Sequence, residues 1–116
     1  MSLVIAGLIV WTTWGLLREA VKLSLAAVPE KIDPAKVRDY LEGLPGVREV
    51  HDLHIWAIST TETALTAHLV RPDAGPDDAL LHEAARELEA HFGISHATLQ
   101  IELDASACRL APPGVV

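Results

Sequence analysis

Apolar positions along the chain fall into one unbroken run, two segments of helical period and three of strand period. The unbroken run, Leu3 to Leu17, reads LVIAGLIVWTTWGLL and is closed by Arg18, Glu19 and Lys22. At 15 residues without a charge, it falls short of the ~20 apolar residues a bilayer crossing needs. No basic region precedes it and no small-x-small site closes it, so it is a poor secretory signal. Two readings stay open: a buried amphipathic helix, or the second half of a transmembrane helix whose first half lies outside this chain. Trp11 and Trp14, with Arg18 and Lys22 just beyond, have the character of an interfacial anchor on a cytoplasmic side and favour the second. Leu16, Leu17, Ala20, Val21, Leu23, Ser24 and Ala27 keep near-helical spacing, so the helix is expected to run on to Val28, where Pro29 disfavours it.

Asp33-Pro34 supplies an N-cap residue followed by proline in the first helical position. The helix it opens carries Val37, Tyr40, Leu41 and Leu44 on one side and ends near Gly43, and Pro45-Gly46 turns the chain into a strand over 47–58. A second strand over 63–70 follows closely enough to pair with it antiparallel. After a loop over 71–76, Asp77 or Asp78 caps a helix with Leu80, Leu81, Ala84, Ala85, Leu88 and Phe92 as its core-facing stripe, closed by Gly93. Residues 96–103 alternate as a third strand. The order helix, strand, strand, helix, strand predicts an α+β fold, a three-stranded sheet with helices on one face in the ferredoxin-like manner, preceded by the apolar helix.

Period-2 parity then sorts the strand side chains. Leu65, Ala67 and Leu69 facing the core place Thr66 and His68 on the open face, and Leu99 and Ile101 facing it place Gln100 and Glu102 there. In the first strand, Leu53 and Ile55 facing in put Asp52, His54 and Trp56 out, with His51 on the core side unless the strand entry is twisted or bulged. An open face with a tryptophan and imidazoles is expected to be a dimer interface, a metal site or both. Imidazole beside carboxylate is the donor set that suits zinc.

The formal charge of −7 and the absence of any cluster among the nine Lys and Arg exclude a general nucleic-acid binder. An acidic, histidine-bearing surface attracts cations instead. The single cysteine, Cys108, rules out an internal disulfide framework and fits a reducing compartment. It lies in an Ala/Ser/Pro/Gly-rich tail and has no second cysteine to chelate with. No nucleophile elbow, glycine-rich phosphate loop or argued substrate pocket is present, so no enzyme is expected.

The runs PEKIDPAKVRDYLEGLPGVREVHDLHIWAIS, ETALTAHLV and FGISHATLQIE resemble the C-terminal cytoplasmic domain of the cation diffusion facilitator family, the zinc, cobalt and cadmium efflux transporters that exchange metal for protons. LIVWTTWGLLREAVKLSLAAVP resembles the end of that family's last transmembrane helix. The resemblance implies a metallochaperone-like fold, a V-shaped homodimer and Zn²⁺ bound near the dimer interface. It also implies that transport needs Asp and His residues on spans this chain does not contain. Residue by residue it points to His51, His68 and Glu102 as zinc ligands, with His96 a further donor and His82 a weaker candidate, while strand parity adds His54 as another weaker one. Gln100 stands where some members have a histidine, which puts a binuclear site in doubt. Parity favours His54 beside His68 whereas the resemblance favours His51, and the resemblance is followed here. Trp56 and His54 are expected at the dimer interface, and Asp52 and Asp104 as carboxylates that orient an imidazole.

The expected organisation is residues 1–28 as the end of a transmembrane helix and its exit, 29–104 as a metal-binding dimerisation domain, and 105–116 as a flexible tail. The expected role is that of a regulatory, zinc-sensing domain on the cytoplasmic face of a membrane, in the setting of a bacterial inner membrane. The alternatives are a free-standing soluble metal-binding or chaperone module and a metal-free small-molecule sensing dimer.

Overall fold

The computed structural model describes residues 2–73, 75, 77–104 and 108. The first helix, α1, spans Ser2–Ser24 and buries none of its residues. Leu3 and Trp11 are 88% and 84% exposed, so the reading of this segment as a buried core helix fails. Its 23 residues are long and apolar enough to cross a membrane by length and composition. The charge-free run covers 15 of these residues, and the helix continues past Arg18 and Glu19.

The helix ends four residues before the expected Val28. Ala26 adopts φ 50, its N–H donates to Leu23 O at 3.1 Å, and the Ala27 N–H donates to Lys22 O at 3.1 Å. This left-handed cap satisfies the last carbonyls, so the chain has left the helix before Pro29 exerts any effect.

Helix α2, Pro34–Glu42, begins as its sequence requires: the Asp33 carboxylate accepts from the Ala35 N–H at 3.0 Å, and Gly43 closes the other end. Helix α3, Asp78–Phe92, is capped by Asp77, which accepts from the Leu80 N–H at 3.0 Å, and ends on Gly93 at φ 68. At that position a side chain would meet the left-handed penalty glycine avoids.

Strands β1 (Glu49–Ala57), β2 (Thr63–Val70) and β3 (His96–Glu102) form one sheet in the order β1-β2-β3. β1 and β2 pair antiparallel, β2 and β3 parallel. A parallel neighbour needs a crossover, which α3 supplies. Helix α2 lies against β1 and α3 against β3, and the two helices touch. Between them and the sheet sit Val37 and Leu41 of α2, Leu88 of α3, and Leu53, Ile55, Leu65, Ala67 and Leu69 of the strands, with Ile32 and Ile94 at the margins. Each fully buried large aliphatic chain here contributes about 1.5–3 kcal/mol.

Strict alternation fails at one place in the sheet, and that place positions the site. His51 pairs with His68 but His54 pairs with Thr66, so Asp52 and Leu53 together face the single residue Ala67. Asp52 takes φ 50. This is a β-bulge, one extra residue that shifts the side-chain period. Val50 and Leu53, three apart, are therefore both buried. His51, expected by parity on the core side, instead shares the open face with its partner His68 and with His54.

A candidate metal centre on the open sheet face

The bulge brings His51 and His68 into direct cross-strand register, where their rings meet edge to face with centroids 5.2 Å apart. Glu102, at the end of β3, reaches between them. His51 Nε2 lies 3.0 Å from Glu102 Oε2, and His68 Nδ1 lies 3.0 Å from Glu102 Oε1. Gln100, beside His68 in the parallel register, donates from Nε2 to Glu102 Oε1 at 2.8 Å and steadies the carboxylate. Cys108, six residues beyond Glu102, has its Sγ 3.7 Å from His68 Nδ1.

One donor atom from each of His51, His68, Glu102 and Cys108 lies within 4.8 Å of the others. His51 and His68 are only 6% and 8% exposed, so the cluster is largely shielded from water. A tetrahedral zinc with N or O donors at ~2.0–2.1 Å and sulfur at ~2.3 Å sets its donors about 3.3–3.8 Å apart. The donor set therefore fits a tetrahedral ion after inward movements of the order of an ångström. Asp52 supports the arrangement from behind, with Oδ2 3.6 Å from His68 Nε2 and Oδ1 2.9 Å from His54 Nε2. A carboxylate on the far nitrogen turns the near one, Nδ1, toward the cluster.

The other sequence candidates lie elsewhere. His96 begins β3 opposite Ala64, six residues from Glu102, which at ~3.3 Å per residue is about 20 Å along the strand. It is 57% exposed and faces Glu62 at 3.6 Å, so within one chain it does not join the cluster. His82 is exposed on α3, in the helix layer on the other side of the sheet, and is likewise apart. His54 is half exposed and engaged by Asp52. Trp56, half-buried, stands on the open face near the turn end of β1.

Sequence reasoning left Cys108 in a flexible tail. The rest of that tail, 105–107 and 109–116, is outside the described residues, but Cys108 belongs with the cluster. Its residue type was the one signal available, since a spacing of six residues from Glu102 does not place its sulfur beside His68.

Residues 29–104 match the family described as cation efflux protein, cytoplasmic domain. The cation efflux system protein CzcD of Alcaligenes sp. (strain CT14) is 39% identical over 92 residues, 78% of this chain and 29% of that protein. The cadmium, cobalt and zinc/H(+)-K(+) antiporter of Bacillus subtilis (strain 168) is 32% identical over 107 residues, 90% of this chain and 34% of its own length. The chain thus spans about a third of these curated relatives, whose names are those of metal cation transporters. Among solved structures, the metal-bound C-terminal domain of the CzcD transporter from Cupriavidus metallidurans superposes with a TM-score of 0.56 at 38% identity, covering 62% of this chain and all (100%) of that one. The zinc form of the putative zinc transporter CzrB superposes at 0.54 with 24% identity over 70% of this chain and 100% of that one, a likeness of fold. With the family match spanning the whole sheet and both of its helices, the chain belongs to the cation efflux protein family, residues 29–104 being its cytoplasmic domain.

Proposed function

We propose that this chain is the regulatory, zinc-sensing and dimerisation part of a divalent cation/proton antiporter that exports Zn²⁺ and, by the same donor chemistry, Cd²⁺ or Co²⁺. In this reading α1 is the end of the last membrane span, residues 29–104 hang on the cytoplasmic face, here of a bacterial inner membrane, and translocation belongs to spans outside these residues. The observation that carries the reading is the convergence of two imidazoles and a carboxylate from three different strands on one shielded spot. Imidazole with carboxylate and thiol suits zinc and its neighbours. His51, His68 and Glu102 would hold the ion, which supplies a cross-link between β1, β2 and β3. Trp56 and His54, on the same face, would meet a second copy.

A ligand that binds only the folded state stabilises it by about 2.7 kcal/mol at a hundredfold excess over Kd. Zinc should therefore raise the Tm of the full chain in a mild detergent, and His68→Ala or Glu102→Ala should remove most of that rise. Because imidazole ligates only when neutral, the rise should shrink as the pH falls below about 6. If both alanine variants keep the full zinc shift, the ion sits elsewhere. If zinc gives no shift at all, a metal-free sensing dimer becomes the better reading.

A further inference from the structure

Three donors of the cluster are carried by strands, whereas the fourth, the Cys108 thiol, lies beyond the end of β3 in sequence. Cys108 is the single cysteine of the chain, so no intrachain disulfide competes for it. Its sulfur lies 3.7 Å from His68 Nδ1, a spacing that suits two ligands of one tetrahedral ion. It is also half-buried, reachable by a small oxidant, while the imidazoles it faces are shielded.

We propose that Cys108 is the fourth zinc ligand and that its oxidation by a hydroperoxide opens the site, making metal sensing in this chain sensitive to peroxide. The inference rests on the metal reading above. A thiolate is both the ligand and the nucleophile. Its sulfur attacks one peroxide oxygen; the sulfur–oxygen bond forms as the oxygen–oxygen bond breaks, and the departing hydroxide takes a proton to become water. The sulfur is oxidised to a sulfenic acid and the peroxide is reduced. The sulfenic acid lacks the anionic sulfur that bound the ion, and the remaining His51, His68 and Glu102 form a weaker, three-donor site.

The test uses the full chain in detergent, loaded with one equivalent of Zn²⁺ and treated with hydrogen peroxide. Released zinc is followed with a chromogenic chelator, and Cys108 by intact mass. Zinc should appear in step with the addition of one oxygen per chain, and dithiothreitol should restore binding. Cys108→Ser and Cys108→Ala should each bind zinc at least about tenfold more weakly, the low end of what loss of a mere outer partner costs, and neither should release it to peroxide. Variants that bind as tightly as the parent, equal release from variant and parent, or an oxidised parent that keeps its zinc would each overturn the proposal. A parent chain that binds no zinc would overturn the metal reading itself, a different result from any of these.

Discussion

Glu102 is placed so that its two oxygens each face a different imidazole, which sets this cluster apart from a patch of acidic surface. His96 has the same imidazole and lacks the placement. The fold also shifts the titration of a residue away from the site. At the α2–α3 seam the Tyr40 ring meets Phe92 with centroids 5.7 Å apart. Burial there, then the Glu87 and Glu83 carboxylates, raises the phenol above its ordinary value. A raised value in the folded state means the folded chain holds this proton more tightly than the unfolded one. The contribution is whole below about pH 10 and is lost as the pH climbs through the folded-state value. Tyr40→Phe should therefore melt less steeply with rising pH than the parent between about pH 9 and 11. Superimposable profiles for the two proteins would mean the folded phenol ionises as freely as the unfolded one.

The bulge in β1 is the element on which the site depends, because it turns His51 from the core to the open face. Asp52 holds it with φ 50, a conformation that aspartate tolerates, glycine adopts freely and valine resists. Asp52→Gly removes the carboxylate and keeps the backbone; Asp52→Val removes both. The valine variant should be about 1–2 kcal/mol less stable than the glycine one in urea denaturation, the cost of a left-handed β-branched residue. It should also lose the zinc shift that the glycine variant retains in weakened form. Equal stabilities would show that the positive φ is not what sets the register. The caps of α2 and α3 were legible in the sequence because Asp33, Pro34, Asp77 and Gly93 act on their immediate neighbours, whereas the end of α1 at Ser24 was not. The bulge was not, since it depends on how His68, Ala67 and Thr66 line up across β2.

For the whole molecule, all four donors converge within one chain, so a second copy is not needed to complete a site. In the proposed function, the second copy would meet the open face near Trp56 and His54. Light scattering of the full chain, corrected for detergent, should give a dimer mass with and without zinc; a monomer at micromolar concentration would remove the dimer from the proposed function. A bound ion biases two arrangements of a dimer only by its different affinity for each. The regulatory reading therefore requires the two protomers to draw together when the metal binds. Nitroxides carried by an unnatural amino acid at the exposed position Glu89 of each protomer, which leave Cys108 unmodified, should report a shorter distance at saturating zinc. Unchanged distances would assign the ion a structural role inside each protomer.

Local signals in the sequence determined the order of elements, the capped helices, the inward faces of β2 and β3 and the family, for each rests on spacing between near neighbours or on a contiguous run such as LPGVREVHDLHIW. Only the tertiary structure decided which histidine of that run stands beside His68, that Cys108 joins the site and that His96 does not reach it. These three outcomes depend on pairing register and tertiary placement. Register is set by contacts between residues far apart in sequence, and a single extra residue at Asp52 is enough to exchange the two faces of the strand before it.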